Sequence, residues 1–273
     1  MLEFFKAVIL GVVQGVTEFL PVSSSGHLVI GSQLMNFQEQ GVVFDVCLHL
    51  GTLLSVLLVF RREIKAMAMA PLQVLTGQTD RDTRTFFLWD IYVIVATLPA
   101  VVVGLFFKDR IESLFSSVLV AYIMLIVTGI LMICARYLPK KEKSLTWWRS
   151  VLVGCAQAGA ILPGLSRSGS TIFMGMALGV PRQTVARFSF IMSIPAILGA
   201  VVLHSKELLA QPPAAEIWGN LAAGMVVAAV SGYLAIKFLL DIIEKDRLQW
   251  FGYYCLLLAS AGLGYYVLNV VYP

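Results

Sequence analysis

Two polar breaks, Pro21-Val-Ser-Ser-Ser-Gly-His27 and Pro163-Gly-Leu-Ser-Arg-Ser-Gly-Ser170, interrupt apolar stretches that would otherwise read as ordinary membrane helices. Each has an apolar run before it and a shorter one after it. The piece from His27 to Phe37 spans only about 16 Å at 1.5 Å per residue, half of the ~30 Å of hydrocarbon a crossing must cover. If Leu2 to Leu20 were a full crossing, this short piece would strand Gln38, Glu39 and Gln40 at mid-membrane, where a charge costs several kcal/mol. A re-entrant pair, entering and leaving by one face, avoids that cost. Residues 149–180 invite the same reading.

The two breaks also resemble each other. Gly11-Val-Val-Gln14, Leu20-Pro21 and Val22-Ser-Ser-Ser-Gly26 match Gly154-Cys-Ala-Gln157, Leu162-Pro163 and Leu165-Ser-Arg-Ser-Gly169, with a one-residue slip at the prolines. This is an internal repeat of about 143 residues, the step from Gln14 to Gln157. Six further stretches are long enough to cross: Val42 to Phe60, Trp89 to Phe107, Val118 to Arg136, Thr184 to His204, Ile217 to Leu240 and Gln249 to Val271. The expected fold is an all-α polytopic membrane protein, one integral-membrane domain over 1–273, with repeats at approximately 1–140 and 149–273. Each half holds one re-entrant helix-loop-helix and three transmembrane helices. Because three is odd, the second half is inserted upside down, and interrupted segments in inverted halves point to a site at the membrane midplane.

Composition agrees. The 273 residues are 59% apolar and 13% charged, against roughly 45–50% and about 25% in a soluble domain. The mean hydropathy is +0.85. A water-soluble globule is excluded. The six-crossing topology puts 61–88, 136–150, 180–187 and 237–248 on one side, with fifteen of the 20 Lys and Arg residues. The other side carries Lys6, Lys108, Arg110 and Lys206. This asymmetry makes the first side cytoplasmic and both termini periplasmic or extracytoplasmic. The N-terminus lacks a basic n-region and a small-residue cleavage site, so it does not read as a removed signal peptide. Cys47, Cys134, Cys155 and Cys255 show no disulfide or zinc spacing and read as small buried apolar residues. Residues 76–85 read as a solvated loop, and Trp89, Trp147, Trp148, Trp218 and Trp250 as interfacial anchors.

The remaining basic residue, Arg167, lies inside the second break. A guanidinium there is expensive unless it binds an anion in a polar cavity, and its planar fork suits phosphate oxygens. A structural ion pair with Glu18 is the alternative. Ser166, Ser168, Gly169 and Ser170 offer hydroxyls and free backbone N–H groups at a helix start, where phosphates are commonly held. In the first break Gln14 and Glu18 share a helix face, Ser23, Ser24, Ser25 and Gly26 form a polar loop, and His27 opens the next half-helix. A carboxylate, hydroxyls and an imidazole near an arginine supply the nucleophile, proton carrier and anion clamp of phosphoryl transfer. Asp45 and His49 are four apart and either line the same cavity or form a structural pair. His204 falls at an interface. No Walker, dinucleotide or HExxH pattern occurs, which removes support for nucleotide use and zinc hydrolysis.

Gln14-Gly-Val-Thr-Glu18-Phe-Leu-Pro-Val-Ser-Ser-Ser-Gly-His27 and Pro163-Gly-Leu-Ser-Arg-Ser-Gly-Ser-Thr171 closely resemble the two signature motifs of the bacterial undecaprenyl-pyrophosphate phosphatases, or bacitracin-resistance proteins. The resemblance covers essentially the whole chain in length, motif order and hydropathy. It implies hydrolysis of undecaprenyl pyrophosphate to undecaprenyl phosphate and phosphate, recycling the lipid carrier of cell-wall synthesis in the bacterial plasma membrane. It also implies a divalent cation, Mg²⁺ or Ca²⁺, with Glu18 and Gln14 as candidate ligands. On this resemblance Ser24, His27, Glu18 and Arg167 are the expected catalytic residues. Ser23, Ser25, Gly26, Ser166, Ser168, Gly169, Ser170 and Thr171 join Gln14 in substrate binding. Gln14 stands where some family members carry Glu, which leaves one carboxylate of a pair.

The expected scheme has Ser24 attacking the terminal phosphorus, His27 moving the proton, and Glu18 orienting His27 or binding the cation. The Ser24 and His27 roles are interchangeable on sequence. The expected partners are the polyprenyl pyrophosphate substrate and membrane lipids, with no nucleic acid; a homodimer is allowed. The alternative is a transporter or flippase of a lipid phosphate that uses the same mid-membrane site.

Overall fold

Helices start on polar residues at Asp80, Ser117 and Ser166, whose side chains each accept a backbone N–H of the helix that follows. The computed structural model describes residues 2–34, 41–78, 80–115, 117–210 and 217–268. Gln38, Glu39 and Gln40 lie outside them, as do the side chains of Lys108, His204 and Lys206. All the described elements are helices. In chain order they are α1 (Leu2–Phe19), α2 (Ser24–Leu34), α3 (Gly41–Val59), α4 (Arg61–Leu75), α5 (Arg81–Phe106), α6 (Lys108–Phe115), α7 (Val118–Cys134), α8 (Trp147–Gly159), α9 (Arg167–Ala177), α10 (Arg182–Ala210), α11 (Trp218–Glu244) and α12 (Gln249–Tyr266).

Four of these, α5, α7 with its following turn, α10 and α11, are long and apolar enough to cross a membrane. A fifth arises if α3 and α4, bent by 79° at Phe60, count as one broken span. The helix α12, which opens on Gln249 and carries Tyr253, Tyr254, Tyr265 and Tyr266, is not among them.

Two expectations need correction. Residues 81–85 belong to α5, because Asp80 accepts the Thr83 N–H at 2.6 Å and caps the helix well before Trp89. Trp89 itself packs edge-on against Phe188, with ring centroids 5.8 Å apart. Of the four cysteines only Cys255 is buried; Cys47 is half-buried, and Cys134 and Cys155 are exposed. An apolar stretch of a membrane protein turns part of its surface to lipid, so apolar character does not imply burial. The helix α6 was not anticipated, nor was α4.

Close helix packing rests on small residues, as expected where lipid tails are as apolar as the side chains and backbone approach must supply the contact. A Cβ on Gly11 would lie 2.7 Å from the Gly224 carbonyl oxygen, joining α1 to α11. One on Gly154 would lie 2.2 Å from the Ala96 oxygen, joining α8 to α5. Gly129 and Gly252 bring α7 and α12 together in the same way. These packed helices hold the two breaks against each other.

Candidate active site

Each break is closed by its own side chains. In the first, Ser23 adopts φ 69°, a left-handed backbone uncommon for a residue with a Cβ. Its Oγ accepts the Gly26 N–H at 3.3 Å, capping α2. In the second, Gly164 takes φ 93°, and a Cβ there would sit 2.2 Å from the Ala121 oxygen, so only glycine fits. Ser166 caps α9 by accepting the Gly169 N–H at 3.1 Å.

The breaks then meet. Ser25 Oγ accepts the Gly164 N–H at 3.4 Å, and Ser168 Oγ donates to the Leu20 oxygen at 3.2 Å. A Cβ on Gly26 would lie 3.0 Å from Gly164 Cα, and one on Gly169 would lie 3.2 Å from Pro21 Cβ. The second break is pinned from the side by Thr128 of α7, whose Oγ1 donates to the Gly164 oxygen and accepts the Ser166 N–H, both at 2.9 Å. Nothing in the sequence distinguishes Thr128 from any other polar residue in an apolar helix.

Glu18 is the centre of the assembly. It is buried at the end of α1. Its Oε2 accepts from Ser24 Oγ at 2.5 Å and from Gln14 Nε2 at 3.1 Å. Its Oε1 takes the Arg167 Nη2 at 2.6 Å, across 149 residues of chain. Arg167 makes the structural ion pair with Glu18, and its Nη1 is buried with no hydrogen-bond partner among the described residues. A guanidinium with donors to spare, beside a serine bonded to a carboxylate, can hold an anion at that serine. His49 Nε2 lies 3.9 Å from Glu18 Oε2, while its Nδ1 bonds to the Asp45 carbonyl oxygen at 2.7 Å. Of that pair, His49 joins the site.

These groups line a cavity of about 270 Å³. Glu18, Ser23, Ser24, Ser25, His49, Ser166 and Arg167 form its polar wall, and Phe115, Ile161, Leu165 and Ile197 its apolar one. The other expected residues sit around it. Gln14 is fully buried behind Glu18, and its Oε1 has no partner among the described residues. Gly26, Ser168 and Gly169 make the contact between the breaks. Ser170 Oγ is buried and likewise unpartnered among the described residues. Thr171 Oγ1 bonds to the Arg167 carbonyl oxygen at 2.8 Å and to Ser189 Oγ at 2.6 Å, tying α9 to α10.

His27 faces elsewhere. Its Nδ1 contacts the Ser23 carbonyl oxygen and its Nε2 the Tyr254 hydroxyl, each at 2.8 Å. The imidazole is stacked on Tyr254 of α12, with centroids 5.6 Å apart. Glu18, engaged by Ser24, Gln14 and Arg167, is not the residue that orients it. Tyr254 gave no signal in the sequence, because it is one tyrosine among several in α12.

Chemically, the arrangement is a hydroxyl bonded to a carboxylate, next to a cationic fork, in a polar pocket with one apolar wall. Groups of these types, within hydrogen-bond reach of one another, can act as nucleophile, base and anion clamp. The family model described as "Bacitracin resistance protein BacA" matches residues 7–261 of the chain. A protein of Alcanivorax borkumensis named undecaprenyl-diphosphatase is 42% identical over 264 residues, covering 95% of this chain and 98% of its own. One of the same name from Rhodopirellula baltica is 42% identical over 274 residues, covering 99% and 100%. Another, from Methanobrevibacter smithii, is 41% identical and covers 93% and 94%.

Proposed function

The chain belongs to the bacitracin resistance protein family, and on that footing we propose that it is a membrane phosphatase converting undecaprenyl pyrophosphate to undecaprenyl phosphate and phosphate. The observation that carries the proposal is the 2.5 Å hydrogen bond from Ser24 Oγ to Glu18, with Arg167 on the other carboxylate oxygen. Carriage of a head group needs a cation; it does not need a hydroxyl paired with a base. The relatives' names point the same way, to hydrolysis rather than transport.

The reaction proceeds in two displacements. Ser24 Oγ forms a bond to the terminal phosphorus as the bond from that phosphorus to the bridging oxygen breaks. The serine proton passes to Glu18 Oε2, and polyprenyl phosphate leaves. Water then attacks the phosphoserine, the Oγ–P bond breaks, inorganic phosphate departs, and Ser24 regains a proton. Arg167 holds the equatorial oxygens throughout, the positioning and charge neutralisation on which phosphoryl transfer depends. His27 braces the turn that presents Ser24, through Nδ1 and the Ser23 carbonyl oxygen.

A divalent cation would have to draw its protein ligands from Glu18 and from Gln14 behind it. Among the described residues Glu18 is the one carboxylate on the cavity wall, and Gln14 Oε1 is a buried oxygen with no partner. Mg²⁺ is commonly held by one or two carboxylates, with substrate phosphates and water completing the shell. Glu18 and Gln14 would supply the protein's share. When bound, the cation would neutralise pyrophosphate charge and so ease departure of the leaving group.

The inverted repeat belongs to the same reading, and helix packing supports it. Exchanging the halves, so that α1, α2, α3, α5 and α7 trade with α8, α9, α10, α11 and α12, turns the α1–α11 contact into α8–α5 and α3–α11 into α10–α5. The α7–α12 and α3–α10 contacts map onto themselves. With the basic residues cytoplasmic, both termini lie outside and the breaks enter as re-entrant pairs from opposite faces.

The test is phosphate release from undecaprenyl pyrophosphate by the purified protein in detergent. Release that stops with EDTA and returns with Mg²⁺ or Ca²⁺ is the expected result. A folded wild-type protein that releases none refutes the phosphatase reading.

A further inference from the structure

Beside the polar cavity lies a second one, larger and almost wholly apolar, between α5, α6 and α8. Its volume is about 540 Å³, within the range of pockets that bury most of a small ligand. Pro99 and Val103 of α5, Ile111 and Leu114 of α6, and Leu162 line it, and among the described residues Arg110 is its one charged lining residue. The two cavities share Ile161 as a common wall. On either side of that wall the two linings meet at adjacent residues: Leu114 and Gly159 belong to the apolar cavity, their chain neighbours Phe115 and Ala160 to the polar one.

We propose that this groove is the subsite for the first isoprene units of the polyprenyl chain, α-ward of the pyrophosphate, with the rest of the tail running out into lipid. The proposal rests on the phosphatase reading, since it is the head group at Arg167 and Ser24 that places the tail. A pyrophosphate seated there must send its ester oxygen and first carbons past a neighbouring wall. The cavity has one apolar wall, and Ile161 on that wall also lines the apolar trough. A polyisoprenoid is the occupant whose chemistry changes from dianionic to hydrocarbon over the same short distance as the lining does. The helix α6, which closes one side of the groove, is then a specificity element rather than a mere connector.

Gly159 makes the idea testable. It is the last residue of α8 and lines the groove, and a Cβ built on it meets nothing within 4 Å. A larger side chain at this position would project into the trough without displacing protein atoms. Gly219 of α11 is equally open and lies off the groove, so it serves as control.

The experiment uses the full chain in detergent with a diazirine-bearing farnesyl pyrophosphate, mapping the photolabelled peptides, alongside steady-state phosphate release from farnesyl pyrophosphate. Label is expected on residues 99–114 and 155–162, displaced by excess undecaprenyl pyrophosphate. Gly159→Leu is expected to raise KM about tenfold or more, the scale on which a hydrophobic pocket discriminates by a few methylenes, with kcat within about twofold. Gly159→Ala should fall between Gly159→Leu and wild type, and Gly219→Leu should match wild type. Label on other helices, label that undecaprenyl pyrophosphate does not displace, or an unchanged KM in Gly159→Leu overturns the subsite. Groove labelling without any phosphate release instead sinks the phosphatase reading and leaves the groove as a prenyl site.

Discussion

Ser24 Oγ donates to the Glu18 carboxylate at 2.5 Å, and the same carboxylate receives Arg167 on its other oxygen at 2.6 Å. In the proposed reaction one acidic residue activates the nucleophile and holds the anion clamp, and the two chain breaks are joined through it. Glu18→Gln keeps the shape and loses the base. Its kcat should fall by about 10²–10⁴, the usual worth of general base catalysis. It also leaves Arg167 uncompensated in a buried setting, which costs about 3–5 kcal/mol when one member of such a pair is removed. The double variant Glu18→Gln/Arg167→Gln should regain melting temperature without regaining activity. Thermal unfolding followed alongside phosphate release separates the two effects; recovery of activity in the double variant would count against both roles.

Thr128 should prove a structural support of the site. Thr128→Val keeps the volume and removes both hydrogen bonds to the second break, leaving the Ser166 N–H unsatisfied. The expected cost is about 1–3 kcal/mol, with a lower kcat because Ser166 and Arg167 lose their anchor. Thr128→Ser should restore both. Equal stability of Thr128→Val and wild type in a denaturation series would contradict the assignment.

The sequence exposed most of this site and missed its supports, for physical reasons that differ residue by residue. Gln14, Glu18 and Arg167 are legible because polar groups in apolar chain are costly, so each demands an explanation. The meeting of the two breaks is legible because the repeated Ser-Gly pattern implies equivalent places. Thr128 and Tyr254 are not, since a hydroxyl can satisfy itself on its own helix and gives no sign of a distant partner. The direction of His27 was hidden for a related reason: it depends on α12, more than two hundred residues away in sequence. Asp80 was passed over because a cap in a run of polar residues looks like any other loop residue. The cysteines misled because an apolar helix facing lipid exposes residues that a soluble protein would bury.

His27 tests the alternative nucleophile. With both ring nitrogens engaged by Ser23 and Tyr254 and the ring stacked on α12, it is placed to support the turn. Phosphate trapped on the enzyme during turnover of a labelled terminal phosphate should map to Ser24. Tyr254→Phe should change kcat by no more than about fivefold, the loss of one net hydrogen bond at ~0.5–1 kcal/mol. Label on His27, or a far larger loss in Tyr254→Phe, would transfer the nucleophile's role to the imidazole.

The most direct measurement is the rate of phosphate release from undecaprenyl pyrophosphate by purified Ser24→Ala at saturating substrate, beside wild type in the same detergent. The account predicts a fall of about 10³-fold or more, as expected when an activated nucleophile is removed, with an unchanged melting temperature and no phospho-enzyme. Release within a few fold of wild type would contradict it.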